Sequence, residues 1–478
     1  MKPLTRNGAI VLVLTLSILP ACAQSSSVTN STTNSITIST TNSGQSVYSD
    51  VIQPIFTAKC SFCHGGSNLD AGLSLESWGQ VMAGSSRGAA VIAFDAENSL
   101  LVELATKYQA GSHPEELSSA SLIDAEIQQI KDWINSGAPG PAEQIPFADS
   151  NDFIYVTNQG EGTVNVIDTG SNTVVRRVDL TALGFAVMSK PHHIAVEEDG
   201  SYWYVSMIAE NRILKFSRDN ELVGQAEFQV PGLMALDPAS DLLFVGRSMA
   251  AVNPPQSIGF IERSSMDIEE VEVFHPRPHA IAVSSTGDYV FSGSLGENRI
   301  IAVNVESRDG TRHSVEGPIH TLVQFGVTPD GQTMIVGGQL TGKLFFYDIS
   351  NAPELTLLKT IDVNAAPWHP VFSPDGKFAY LANKMANTVT VIDMESQSIA
   401  KMIEGEGLSQ PHGAALSASG KFLYVSNNNL NGHYTPHFDL GDNELAGTVV
   451  IIDTHSMEIV KVLEVGAYPS GAGSRGAL

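Results

Sequence analysis

Cysteine is nearly absent: there are three in 478 residues, at positions 22, 60 and 63. That excludes a disulfide framework, and with two of the three in a single Cys-x-x-Cys pair, none remains for a second thiolate site. Basic residues are also scarce. The chain has 26 Lys and Arg against 51 Asp and Glu, a formal net charge of −25. Nucleic-acid binders need a basic stripe, so that partner class is excluded. The acidic surface favours solubility and can attract a basic protein partner. Long apolar runs are missing too: Ala9 to Leu19 is too short to span a bilayer comfortably. What is present is 42% hydrophobic residues, enough for a large core, and a length that fits two domains plus a leader.

Lys2 and Arg6 precede that apolar run, which ends Leu19-Pro20-Ala21-Cys22. Residues 1–22 read as a signal peptide. The end resembles a bacterial lipobox, which implies diacylation of Cys22 and a periplasmic or cell-surface protein tied to the membrane only by lipid. Pro20 is unusual in that pattern, and cleavage near Ala23 is the alternative. Residues 23–46 are mostly Ser, Thr and Asn, a composition that reads as a tether.

Cys60-Ser61-Phe62-Cys63-His64 is a c-type haem attachment motif. The thiols add to the haem vinyl groups and the adjacent His becomes the proximal ligand; a redox or zinc Cys pair is the alternative reading. Ile123, Ile127, Ile130 and Ile134 recur at helical spacing and predict a helix over 122–134 with one buried face. Residues 47–142 resemble the small cytochrome c domains fused to other modules in exported bacterial proteins. Such domains place a Met-Pro-Pro segment before the last helix, and its Met is the distal ligand. Here the stretch is Gly111-Ser112-His113-Pro114-Glu115-Glu116-Leu117. His113 is the candidate distal ligand, giving a bis-His haem of lower potential than a His/Met haem, and Met82 is its competitor.

Residues 150–478 repeat with a period of about 43 residues. Phe153 to Asn158 (FIYVTN) is followed by Thr163 to Asp168 (TVNVID); Ser373 to Asn383 (SPDGKFAYLAN) by Thr388 to Asp393 (TVTVID); Ser419 to Asn427 (SGKFLYVSN) by Thr448 to Asp453 (TVVIID). Short alternating strands with turn residues between them mean antiparallel sheets, and their radial repetition means propeller blades. The expected fold is mostly β: a seven-bladed β-propeller with a small N-terminal all-α cytochrome c domain. The repeats resemble the YVTN propeller family, which includes lactonase-like proteins. Gly200, Ser240, Gly287, Gly331, Gly376 and Gly420 mark six blades. The tail Tyr468 to Gly473 has the look of a first strand, which would complete the blade opened by Phe153 and close the ring.

The histidines follow this period. His192, His279 and His412 lie eight residues before their turn residues, and His193 and His369 seven before. Thirteen histidines scattered at random would place about 0.4 on those fourteen positions, not five. These positions begin the innermost strands, so five imidazoles converge on the propeller axis. One such His satisfies a loop carbonyl; five together point to a metal site, and neutral imidazoles suit copper, zinc, iron or nickel.

Several motifs resemble the catalytic propeller of nitrous oxide reductases, which holds a tetranuclear copper–sulfide cluster on seven histidines. They are Pro191-His192-His193-Ile194; Trp368-His369-Pro370 leading to Ser373-Pro374-Asp375-Gly376-Lys377, with Lys384 fifteen residues after His369; and Gly317-Pro318-Ile319-His320-Thr321. The resemblance implies a multinuclear copper site on His192, His193, His279, His320, His369 and His412, although His320 is off phase by three residues. The seventh ligand would come from the insertion 428–442, from His437 in Thr435-Pro436-His437 or from His433. Lys384 would polarise the substrate oxygen or supply a proton. The cupredoxin domain of those enzymes needs cysteines this chain lacks, so haem c would be the electron entry, within one chain or across a homodimer, fed by a periplasmic electron donor. The resemblance implies reduction of nitrous oxide to dinitrogen. The alternatives are another propeller redox enzyme, nitrite reductase-like or a dehydrogenase, and a non-catalytic electron-transfer or binding propeller.

Overall fold

A computed structural model describes residues 46–86, 88–111, 113, 121–363, 366–437 and 446–475. The leader, Cys22 and almost all of the tether lie outside the described residues, as does most of the segment around His113 and the second half of the blade-7 insertion.

Residues 153–474 form seven four-stranded antiparallel sheets. Blade 2 shows the plan: Pro191–Val196 is innermost, followed outward by Tyr202–Met207, Arg212–Ser217 and Leu222–Glu227. Blades 3 to 7 have innermost strands Pro231–Leu236, Pro278–Val283, Leu322–Val327, Pro367–Phe372 and Pro411–Leu416. Blade 1 closes the ring. Its innermost strand is Pro469–Ser474, paired with Phe153–Asn158 so that Tyr155 faces Gly473. Closure leaves no open sheet edge at the junction of the two ends.

The sequence explains the sheet stacking. Second strands such as Tyr202–Met207 and Phe422–Asn427 are buried on both faces, because each blade packs against two neighbours. Outer strands such as Thr356–Asp362 are mostly exposed. The turn glycines Gly200, Gly287, Gly331, Gly376 and Gly420 sit at φ between 68° and 77°, a backbone region that a β-carbon disfavours.

The N-terminal segment is helical: Gln53–Lys59, Ser61–His64, Trp78–Ala83, Leu100–Gln109 and Asp124–Asn135. Ile52, Phe56, Val81, Ile130, Trp133 and Ile134 form its centre. The last helix begins later than its periodicity suggested. Ile123 precedes it and is 60% exposed, because the Glu126 carboxylate accepts the Ile123 backbone N–H at 2.9 Å and starts the helix after it. Trp133 fills the buried face instead. This segment packs on the outer strands of blades 7 and 1. Ala89 and Ile92 join the apolar cluster of Leu463 and Val465, and Arg177 lies 3.6 Å from Asp95, 3.7 Å from Glu161 and 3.9 Å from Asp179.

Candidate functional site

Six of the seven innermost strands open with proline. The residue before the strand has positive φ in six blades: Lys190, Val230, Arg277, Thr321, Gln410 and Tyr468, between 47° and 56°. Blade 6 instead carries its positive φ on His369 itself, at 47°. Such angles are rare outside glycine and strained for β-branched Val230 and Thr321. Each innermost strand also slips register against its neighbour near its start, for example between Pro191 and Ile194 and between Pro411 and Ala414. Such an irregularity re-aims the side chains beside it. His192, His193, His279, His369 and His412 all lie at these irregular starts.

The structure brings those five together. All are buried. The rings of His192 and His412 are 5.5 Å apart, and those of His193 and His369 are 5.3 Å apart. His279 donates from Nδ1 to the Arg247 carbonyl at 2.7 Å, and His192 Nδ1 pairs with Gln159 Oε1 at 3.2 Å. With Nδ1 protonated, each Nε2 keeps a free lone pair. The Nε2 atoms of His192, His279 and His369 and the Nδ1 of His412 are buried without a hydrogen-bond partner. His193 differs: its Nδ1 accepts the Met234 N–H at 3.3 Å, so the neutral ring carries its proton on Nε2. Burial, reinforced by neighbouring imidazoles and Lys384, pushes His192 down to about 3. Burial pushes His279 and His369 down to about 4, and His193 and His412 well below the ordinary histidine value. The cluster is neutral imidazole, the form that binds metal.

Lys384 follows Asn383, which pairs with Pro367, so it emerges at the histidine end of blade 6. Its ammonium lies 5.0 Å from the centre of the Trp368 ring and 5.9 Å from that of Tyr468. Burial lowers its pKa to about 8. Trp368 is 1% exposed and stands 4.4 Å from the His412 ring.

His320 and His437 are not brought to the axis. His320 packs on Phe345 inside blade 5, with Nδ1 paired to Thr341 Oγ1 at 2.8 Å and Nε2 to the Glu316 carbonyl at 2.9 Å. Both of its nitrogens are already engaged, as its shifted phase in the repeat allows. His437 is exposed in the blade-7 insertion, its Nδ1 3.0 Å from Glu464 Oε1. His433 is exposed beside it. Sequence reading missed Gln159, Arg247 and Trp368. Only Trp368 left a signal: it takes the strand position that His192, His279 and His412 hold in blades 2, 4 and 7.

In the helical segment Cys60 and Cys63 are free thiols one helical turn apart, and burial pushes Cys60 up to about 11. The His64 Nδ1 is buried without a partner. His113 is half-buried, and burial followed by the nearby His64 charge lowers its pKa, so the two imidazoles share one neighbourhood. Met82 is buried in the domain core. Two thiols and two imidazoles in this arrangement fit a covalent haem.

At the hub, no three His, Cys, Asp or Glu side chains among the described residues form a ready-made single-ion site. The unpartnered imidazole nitrogens are nevertheless an all-nitrogen donor set, which fits copper better than calcium or magnesium.

Comparison with known proteins agrees with this division. Residues 60–112 match the family described as Planctomycete cytochrome C. Residues 320–461 match the family described as Lactonase, 7-bladed beta-propeller. The chain joins a cytochrome c-like segment to a seven-bladed propeller. It is similar to a 6-phosphogluconolactonase of Buchnera aphidicola subsp. Baizongia pistaciae (strain Bp), 21% identical over 299 residues that cover 57% of this chain and 87% of that protein. Among solved structures, a functionally unknown protein from Desulfotomaculum acetoxidans DSM 771 shares the fold, with a TM-score of 0.53 at 15% identity over 68% of this chain and 98% of that one.

Proposed function

We propose that this protein is an exported c-haem redox enzyme with a multinuclear copper centre in the propeller hub, and that it reduces nitrous oxide. One observation supports the reading: four imidazole nitrogens at the starts of innermost strands, on His192, His279, His369 and His412, are buried without hydrogen-bond partners, in a chain that also bears a haem attachment motif. His192, His279, His369 and His412 would hold the metal, and Cys60, Cys63, His64 and His113 the haem. Copper there supplies a store of electrons and a place for a weak ligand to bind, and haem c supplies electron entry. The protein's own groups do the rest. Gln159 and the Arg247 carbonyl orient His192 and His279; Trp368 excludes water; Lys384 offers a proton to the departing oxygen. Five hub imidazoles are fewer than the seven of the nitrous oxide reductase cluster, so a smaller copper site is within the proposal. Haem attachment and the leader favour location outside the cytoplasm, with lipid at Cys22 as the tether and a soluble redox protein as donor.

The test is the metal content of protein purified anaerobically from cells that mature both c-haem and copper sites, followed by nitrous oxide consumption with a reduced dye. About two to four coppers per iron with turnover supports the proposal. Iron without copper after copper loading overturns it. A second reading, lactone hydrolysis, rests on the lactonase match over residues 320–461. It gives the haem no task, and hydrolysis of a sugar lactone by haem-free, copper-free protein would establish it.

A further inference from the structure

The two ends of the propeller differ in what their connections expose. The strands of each blade alternate in direction and the hub histidines start the innermost ones. Connections from second to third strands, and from each outermost strand to the next blade, therefore lie at the histidine end. The others lie at the opposite end. Among the described residues, nine large apolar side chains in these connections are exposed, and all nine are at the histidine end. The most open are Val187 at 57%, Met188 at 56%, Val252 at 91%, Phe274 at 61%, Leu340 at 69% and Met385 at 76%. Apolar residues scattered singly over a surface need no explanation, but a set confined to one end of a ring marks an interaction face.

Charge divides the same way. The ten connections at the histidine end that lead into or lie within blades 2 to 6 hold three basic residues, Lys190, Arg277 and Lys384. They hold three acidic ones, Glu210, Glu297 and Glu316. Two of these acids are engaged: Glu210 accepts the Ala186 N–H at 3.1 Å, and Glu297 lies 3.0 Å from Arg299. The ten connections at the opposite end of the same blades carry fifteen acidic and four basic residues. In a chain of net charge −25, the histidine end is a neutral apolar face.

We propose that the histidine end of the propeller docks on a phospholipid bilayer, with Met188, Val252, Leu340 and Met385 entering the boundary between headgroups and acyl chains. A basic protein is steered to the acidic end, and an acidic one is repelled by the chain as a whole. A second copy brings another net charge of −25. Lipid needs neither opposite charge nor a matching groove, so apolar tips from separate connections around one end of the ring suit it. Only the neutral end approaches anionic headgroups without repulsion. Residues 23–46 fit this occupant, because a tether of that composition acylated at Cys22 keeps the body within roughly 30 Å of the same surface. The hub histidines lie at the docking end, so a seated propeller presents them to the bilayer rather than to bulk solvent. The inference requires neither copper nor nitrous oxide chemistry.

The test is flotation of haem-loaded protein from residue 22 onward, carrying Cys22→Ser so that no acyl chain is attached. The vesicles are phosphatidylcholine alone and phosphatidylcholine with phosphatidylglycerol, at low and high salt. Binding to both, retained at high salt, is expected. Val252→Asp and Leu340→Asp are each expected to weaken it about tenfold or more, the effect of keeping one such side chain out of an apolar phase. Val223→Asp is the control: Val223 is 51% exposed on the outermost strand of blade 2, away from this end, and its replacement should bind as the parent does. Melting and the haem spectrum confirm that each variant is folded. No flotation with either vesicle, loss of binding at high salt, or equal weakening by Val223→Asp overturns the proposal. Self-association that Leu340→Asp abolishes, without lipid binding, overturns it as well and assigns the face to a second copy.

Discussion

The Nδ1 of His279 donates to the Arg247 carbonyl oxygen at 2.7 Å, across the boundary between blades 4 and 3. Arg247 is held in turn by its own fully buried side chain. Its Nε donates to the Ser257 carbonyl at 3.0 Å and Nη1 to the Gln229 carbonyl at 2.7 Å; Nη2 pairs with Glu270, and the guanidinium lies over the Phe228 ring. The tautomer and aim of one hub imidazole therefore rest on a guanidinium that lies outside the histidine cluster. Arg247→Met is expected to lower copper affinity about 10- to 100-fold, as loss of groups that orient a ligand does. A competing-chelator titration measures this, and the haem spectrum should not change.

His412 and His320 should separate cleanly. His412→Ala removes an unpartnered nitrogen from the axis and is expected to lower the copper-to-iron ratio while the haem stays intact. His320→Ala breaks two hydrogen bonds inside blade 5 and should cost about 1–3 kcal/mol of stability with copper content unchanged. Metal analysis beside thermal melting checks both; copper loss in His320→Ala would move that residue back to the site.

The hub also sets an acid limit for copper-free protein. In the unfolded chain a histidine takes up its proton near pH 6.5. In the folded chain burial pushes His279 and His369 down to about 4 and His192 to about 3. As pH falls through 6.5 the unfolded state binds protons that the folded state refuses, so stability present above pH 6.5 is lost progressively down to about 4 for His279 and His369 and about 3 for His192. The loss is on the order of 3 kcal/mol for each such group. A melting-temperature series on copper-free protein should fall across that window, and His279→Gln should fall less.

Gly471 passes close to the His192-His193 backbone. A β-carbon there would lie 2.2 Å from the His192 carbonyl oxygen and 2.8 Å from the His193 Cα. Gly471→Ala must push the His192-His193 backbone away, and is expected to lose copper together with several degrees of melting temperature, the effect of about 1–3 kcal/mol of overpacking. Gly79→Ala, whose β-carbon would meet nothing within 4 Å, is the control.

In the helical segment, His113→Ala is expected to change the ferric haem from a low-spin to a high-spin spectrum. Met82, buried in the domain core, should leave the iron ligation unchanged when replaced by Leu.

The repeat period made the ring of blades and the five hub histidines legible, because a fixed offset from a turn residue is a fixed place in each innermost strand. The same rule sets His320 apart: three residues off phase, it lies in a loop where Thr341 and the Glu316 carbonyl hold it. Gln159 and Arg247 were not legible. Each acts on an imidazole of the next blade, and that adjacency exists only once the blades stack. Trp368 was half legible, since aligning the blades puts it where others have His, but its pairing with Lys384 depends on the turn after Asn383. Ile123 matched the helical period yet stayed outside the helix, because periodicity records a face and not where the first turn begins.

Closure of the ring by Pro469–Ser474 also orders events in time. Ser470 supplies the backbone bond to the His412 ring, and Gly471 lies against His192. A nascent chain interrupted before those residues has every hub histidine already synthesised but lacks the strand that two of them lean on. The histidine cluster can take its final arrangement only after the last strand has docked, so a ribosome-bound or clipped chain has the imidazoles without their support.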